Sequence, residues 1–159
     1  MNEISIPQQI YSITKTIEYD DFTSEEKYIV KSPEQVLKSK LAVCYDLVEL
    51  ERSLFNKYKY NIKTFFFYKR KPIEDNPTHT VLVYKENNKW YWFESSWYSY
   101  RGIHGPFNNL NLCLNFIIPK LKKDWTINII HSVEYDHFNY NNMNINQFGN
   151  YIISNFERK

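Results

Sequence analysis

The sequence has few cysteines, few glycines and almost no net charge, and each scarcity narrows the class of protein. Two cysteines among 159 residues are too few for the disulfide framework of a small secreted domain. Three glycines, and no tract rich in Gly, Pro or Ser, provide no flexible linker, so we expect a single domain over residues 1–159. A formal net charge of +2 does not favour nucleic acid as a partner.

Long apolar runs are missing as well. Runs such as Phe65-Phe66-Phe67 have the length of a strand, whereas a membrane-spanning helix needs ~20 apolar residues. The N-terminus has no basic stretch followed by an apolar core, so the sequence predicts no secretory signal, no membrane partner and a cytoplasmic location. In that compartment Cys44 and Cys113 are expected to be free thiols.

Aromatic side chains are abundant, with 14 Tyr, 11 Phe and 4 Trp. Asn, Ile, Lys, Tyr and Phe are the residue types that an AT-rich genome over-uses. The aromatic content therefore does not by itself indicate a surface that stacks on bases or sugars.

The hydrophobic pattern predicts an α+β domain built around an antiparallel sheet. Residues 1–31 are interpreted as an irregular or partly extended lead-in. Ser32-Pro33-Glu34 is a helix start signal, and apolar residues at three- and four-residue steps predict a second helix from Cys44. After the two helices, strands are predicted at 59–68, 78–84, 89–95 and 125–135, further helices at 107–122 and 145–156, and a loop at 101–106.

Three residues stand out by their positions on these elements. Cys44 opens a helix, His79 begins the second strand, and Glu94 ends the third. The turn at Asn87-Asn88 makes the two strands a hairpin, and His79 and Glu94 lie at nearly equal distances from it, so we expect them to be neighbours. A carboxylate beside an imidazole stabilises the imidazolium, and a thiol at a helix N-terminus facing it ionises readily. This is the arrangement of nucleophile, base and orienting group used in covalent catalysis.

The order and spacing of these residues resemble the transglutaminase-like branch of the papain-like cysteine enzymes. The histidine follows the cysteine by 35 residues, and the acid follows the histidine by 15. The matching segments are Cys44-Tyr45-Asp46, Thr78-His79-Thr80 and Trp92-Phe93-Glu94. Similar runs occur in small bacterial and phage proteins of transglutaminase-like type, and the resemblance covers roughly Ser32 to Gly105.

The resemblance implies a transglutaminase-like core in which a helix that carries the cysteine packs on an antiparallel sheet that carries the histidine and the glutamate. It implies a catalytic core at 32–105, completed by a helix, a strand and a helix at 106–159. Cys44 would attack a peptide or carboxamide, His79 would transfer the proton, and Glu94 would orient His79. No cofactor or metal is implied, since the chain has neither paired CxxC segments nor HExxH.

Four residues near these three in the sequence are predicted to bind substrate: Tyr45, Trp92, Trp97 and His104. Gly102 and Gly105 bracket His104 in the predicted loop, where we expect a mobile edge of the cleft. The backbone N–H of Cys44 is the natural first donor to an oxyanion. The second donor stays open among Gln8, Gln9, Gln35 and Trp97.

Two classes of function remain open from the sequence. The first is a cysteine hydrolase or acyltransferase acting on a protein or peptide, with hydrolysis favoured because a 159-residue chain has little room for a second, amine-binding site. The second is a catalytically idle fold that serves as a protein-binding module or inhibitor. Buried free cysteines are common, so Cys44 also fits a structural thiol, and Cys113 is interpreted as a core residue. The oligomeric state is not predicted.

Overall fold

The fold is α+β, as predicted, and is seen in a computed structural model that describes residues 4–22 and 24–158. Five strands form one antiparallel sheet in the order β6-β5-β4-β3-β7, and β1 and β2 form a separate parallel pair. In chain order the elements are α1 (Ile6–Thr14), β1 (Glu18–Tyr19), α2 (Pro33–Ser39), β2 (Leu41–Ala42), α3 (Cys44–Lys57), β3 (Asn61–Tyr68), β4 (Thr78–Glu86), β5 (Lys89–Glu94), a 3-10 turn (Tyr98–Tyr100), β6 (Gly102–Phe107), α4 (Leu110–Trp125), β7 (His131–Tyr135) and α5 (Ile145–Phe156).

Helices cover both faces of the five-stranded sheet, because successive residues of a strand point to opposite sides. On β4, Leu82 and Tyr84 pack with Phe55 of α3. Val83, on the other face, packs with Ile117 of α4. The helices α1 and α2 contact α3, and α5 packs beside α3 over β3 and β7. The N-terminus of α3 and the C-terminus of α4 meet at one end of the sheet, where they border the same cleft.

The interpretation of residues 1–31 as an irregular lead-in is wrong for residues 6–14, which form α1. Ser5 caps this helix by accepting a hydrogen bond from the Gln8 N–H, and the Gln8 side chain accepts one from the Ser5 N–H. Ile10 is buried between this helix and the sheet. The segment that follows pairs as β1 with β2, so it anchors the chain immediately before α3.

The predicted loop at 101–106 is also wrong, because Gly102–Phe107 forms the edge strand β6 beside β5. Gly105 has a φ of +139°, and a Cβ at this position would lie 2.9 Å from the carbonyl oxygen of Trp90. The glycine thus permits a close approach of two strands at an irregular point in their register, rather than a mobile edge of the cleft.

The later elements are as expected, with shifted boundaries. The helix predicted at 107–122 runs over Leu110–Trp125, because Asn109 caps it by accepting from the Leu112 N–H at 2.9 Å. Trp125 therefore belongs to the helix, and the last strand covers only His131–Tyr135. In the part of the chain that the structure describes, no helix is both long and apolar enough to cross a bilayer.

Candidate active site

Cys44 is the first residue of α3, and its approach to the helix is fixed by Asp46. One carboxylate oxygen of Asp46 accepts from the Val43 N–H at 2.9 Å, and the other accepts from the Lys31 N–H at 2.7 Å. The hydroxyl of Tyr28 also donates to this carboxylate. Burial raises the pKa of Asp46 to about 6, although the hydrogen bonds from Tyr28, Val43 and Lys31 act in the opposite direction. Asp46 thus ties together the segments that lead to the thiol.

The backbone around Cys44 leaves a donor available at the helix start. Among the described residues, no group accepts a hydrogen bond from the Cys44 N–H, while the Val43 N–H is already used by Asp46. The N–H groups of the first turn carry the positive end of the helix dipole. The side chain of Cys44 is only 7% exposed. A small anion beside the sulfur would therefore meet a free N–H in a largely water-free position.

His79 and Glu94 form a buried pair, as expected from the hairpin. The pairing of Leu82 with Phe93 sets the register, so His79 and Glu94 lie diagonally on one face of the sheet. The Nε2 atom of His79 lies 2.8 Å from Oε1 of Glu94. The second oxygen of Glu94 accepts from the Ser96 N–H, the Ser96 hydroxyl and the Trp97 N–H at 2.9–3.0 Å. These contacts fix the carboxylate and therefore the plane of the imidazole.

The protonation of the pair follows from its surroundings. Burial alone would lower the pKa of His79, but the charge of Glu94 and the hydrogen bonds that Cys44 and Glu94 offer raise it to about 10. Burial would likewise raise the pKa of Glu94, but His79 and the N–H donors of the following turn hold it below its usual value. The pair is thus an imidazolium beside a carboxylate at neutral pH. Because Glu94 occupies Nε2, only Nδ1 of His79 is left for the sulfur of Cys44.

Cys44 and His79 open into one cleft of about 510 Å³. This candidate active-site cleft, called the active-site cleft below, is bordered by the start of α3, the start of β4, the turn after β5, the end of α4, and β1. Its lining residues include Tyr19, Cys44, His79, Trp97, Asp124 and Trp125. A larger cavity of about 1360 Å³ lies beside β3 and β7, but neither cysteine lines it.

Of the four residues predicted to bind substrate, only Trp97 lines this cleft, with its ring edge-on to that of His79 at 5.6 Å. Trp92 is 0% exposed, because its side chain points into the core between the sheet and α4. Tyr45 is 2% exposed, and its ring packs on Phe148 of α5. As substrate contacts, Trp92 and Tyr45 are corrected to core residues.

His104 lies on β6 rather than in a loop, and its ring stacks on that of Trp92 at 4.5 Å. Its Nε2 atom donates a hydrogen bond to the carbonyl oxygen of Tyr100. It is not among the residues that line the active-site cleft, so its prediction as a substrate contact is corrected too.

The glutamines offered as second oxyanion donors lie elsewhere. Gln8 and Gln35 each close a capping box at the start of α1 and α2, and the side-chain amide of Gln9 donates to the Ile4 carbonyl at 2.9 Å. Of the four residues predicted as possible second donors to the oxyanion, Trp97 borders the cleft. Tyr19 also borders it, and sequence reasoning missed this residue because nothing in its local pattern connects it with Cys44.

Cys113 is a core residue, as predicted. It lies on α4 with 0% exposure, and burial raises the pKa of its thiol to about 12. A thiol in this environment is not nucleophilic at neutral pH.

No protein-family model matches this chain, and no curated protein matches it either.

The described residues contain no cluster of three or more His, Cys, Asp or Glu side chains able to hold a metal ion. What the cleft brings together is a thiol, an imidazolium held by a carboxylate, and a free N–H at a helix N-terminus. Those groups are the components of nucleophilic attack on a carbonyl carbon.

Proposed function

We propose that this protein is a cysteine-dependent acyl-transfer enzyme, and that it hydrolyses a peptide or carboxamide through a thioester. The observation that carries the proposal is the 2.8 Å bond between His79 and Glu94 in a cleft that also contains Cys44 at the start of a helix. In this proposal the neutral imidazole of His79 takes the proton of the Cys44 thiol, so that the attacking form of the site is a thiolate beside an imidazolium.

The first half of the reaction forms the thioester. The sulfur of Cys44 attacks the carbonyl carbon, and the developing oxyanion accepts from the free N–H of Cys44. His79 then gives its Nδ1 proton to the leaving nitrogen as the carbon–nitrogen bond breaks. The amine leaves neutral, and the acyl group stays on the sulfur.

The second half restores the enzyme. A water molecule attacks the thioester carbon, and the now neutral His79 takes a proton from it. The carbon–sulfur bond breaks, the carboxylic acid leaves, and the thiolate–imidazolium pair forms again. Glu94 keeps its charge throughout, so it acts by orienting His79 and stabilising the imidazolium.

The proposal is tested by the reactivity of the two thiols. At pH 6 an ordinary cysteine is well under ~1% thiolate, so a thiolate–imidazolium pair should react with iodoacetamide about 100-fold faster. Mass spectrometry should place the label on Cys44 long before Cys113. Excess 4-nitrophenyl acetate should give an initial burst of nitrophenolate and an acetyl group on Cys44.

Two variants serve as controls. Cys113→Ala should leave both the labelling rate and the burst unchanged, while Cys44→Ala should abolish the burst. Equally slow labelling of the two cysteines, with no acetyl group on Cys44, would overturn the proposal and favour the protein-binding alternative.

A further inference from the structure

The last turn of α4 brings the carboxylate of Asp124 to the active-site cleft, whereas Lys122 and Lys123 of the same turn are not among the residues that line it. Asp124 borders the cleft and is exposed. Lys120, one turn earlier on the same helix, is directed away from it, since its Nζ donates to the Phe116 carbonyl at 2.9 Å and lies 3.4 Å from the centre of the Phe116 ring. Within the described residues, Asp124 has no ion-pair partner and no lysine or arginine lines the cleft, and the imidazolium of His79 is already paired with Glu94.

The helix itself adds to this charge. α4 is 16 residues long and ends at Trp125, so the negative end of its dipole lies beside Asp124 at the cleft. The opposite polarity occurs at Cys44, which lies at the positive end of α3. The positive end of the α3 dipole would therefore stabilise negative charge on a carbonyl oxygen in the cleft. The negative end of the α4 dipole would stabilise a positive charge beside that carbonyl.

Four aromatic residues also border the cleft, and they are Tyr19, Trp97, Tyr98 and Trp125. Aromatic faces attract organic cations, and Tyr98 already accepts the guanidinium of Arg101 on one face at 4.3 Å. Arg101 is held outside the cleft by the carbonyl of Ser95 at 2.7 Å. Tyr19 is 44% exposed, so its ring is accessible to a ligand.

We propose that the active-site cleft binds a peptide with a cationic side chain, an ammonium or guanidinium, next to the carbonyl that Cys44 attacks. Asp124 and the aromatic rings take the cation. The inference deepens the proposed function, because it rests on the same cleft and names the class of substrate.

The charge preference of the cleft is measured with thiol reagents of equal size and opposite charge. The cationic trimethylammonium-ethyl and the anionic sulfonatoethyl methanethiosulfonates react with Cys44 in the same way, so the ratio of their rates cancels the reactivity of the thiol. We expect this ratio to exceed that of a cysteine in a short neutral peptide by about 10-fold, and Asp124→Asn to lower it by about 3- to 10-fold.

Glu34→Gln is the matched control, since it removes an exposed carboxylate on α2 and should leave the ratio unchanged. An unchanged ratio in Asp124→Asn would overturn the inference and leave the labelling test of Cys44 untouched.

A second measurement does not depend on the thiol. The Cys44→Ser protein is titrated with capped amides of lysine, norleucine and glutamate, and the indole N–H signals of Trp97 and Trp125 are followed by NMR. The lysine compound alone should shift both signals, and Asp124→Asn should remove the shift. Equal responses to lysine and norleucine, or none to any compound, would overturn the inference, whereas slow labelling of Cys44 with normal lysine binding would overturn only the proposed chemistry.

Discussion

At the scale of single residues, the pKa values of two buried glutamates, Glu51 and Glu94, are shifted in opposite directions. Hydrogen bonds and His79 keep the pKa of Glu94 below its usual value despite burial. Burial and the charge of Glu94 raise the pKa of Glu51 well above its usual value. Glu51 is 2% exposed, and its Oε1 atom has no partner among the described residues. Glu94 is therefore held as an anion, whereas burial favours the neutral form of Glu51.

This difference predicts that the same substitution has different effects at the two sites. Glu94→Gln removes the charge that holds the imidazolium, so the pKa of His79 should fall and iodoacetamide labelling of Cys44 at pH 6 should slow by at least ~10-fold. Glu51→Gln replaces a carboxyl group whose neutral form burial favours by a neutral amide of the same shape, and should leave the pH profile of labelling in place. The profile is measured from pH 5 to 9 by mass spectrometry.

The pair of variants separates a positioning role from a purely structural one. If both substitutions slow labelling equally at every pH, loss of packing accounts for the result. An unchanged profile in Glu94→Gln would contradict the role assigned to this carboxylate.

The residue scale also explains why some candidates were predictable and others were not. The neighbourhood of His79 and Glu94 followed from hairpin register, which local sequence encodes. Tyr45 did not follow, because one residue along a helix turns the side chain by about 100°, away from the thiol and onto Phe148. Asp124 reaches the cleft through the packing of α4 on the sheet, which no local pattern specifies.

At the scale of elements, the position of the thiol depends on how α3 begins. Asp46 accepts hydrogen bonds from the segment before the helix and from Tyr28, so one side chain holds the N-cap residue Val43 and fixes the approach of the chain to α3. The helix would start less sharply without it, and the Cys44 N–H would lose its fixed direction.

Asp46→Ala should therefore cost both stability and reactivity. We expect the free energy of unfolding to fall by about 2–4 kcal/mol, since three hydrogen bonds to one buried carboxylate are lost. Labelling of Cys44 should slow toward the rate of an ordinary thiol. Ser32→Ala, which removes the cap of α2, should cost about 1 kcal/mol and leave labelling unchanged. Urea unfolding and iodoacetamide kinetics measure the two effects, and a normal labelling rate in Asp46→Ala would contradict this account.

Elements with complete start signals could be predicted, and those defined by their neighbours could not. The pair Ser32-Pro33 correctly predicted the start of α2. A similar signal at Ser5, with Pro7 and Gln8, indicates that α1 could also have been predicted from the sequence. The strand at Gly102–Phe107 was not, because its glycines and proline are typical of loops and only pairing with β5 makes it extended.

At the scale of the whole molecule, the buried imidazolium makes stability depend on pH. The pKa of His79 is raised to about 10 in the folded state, whereas an unfolded histidine has a pKa of about 6.5. The folded state therefore holds this proton more tightly. The stabilisation is fully present below pH 6.5 and is lost as the pH rises toward 10.

We expect the free energy of unfolding of Cys44→Ala in urea to fall by about 1–3 kcal/mol between pH 6.5 and 9. This background is used because a Cys44 thiolate would release a proton on folding and so offset the proton that His79 holds. Cys44→Ala/His79→Gln should be less stable at pH 6.5 because the charge of Glu94 stays buried without its partner, but its stability should change less over the same range. The thiol of Cys113, with its pKa raised to about 12, also favours the folded state less as the pH passes ~8.5, but it does so in both proteins. The difference between the two slopes therefore reports His79 alone. Equal slopes would mean that Glu94 does not hold the proton on His79 in the folded protein, which would contradict the role assigned to this carboxylate.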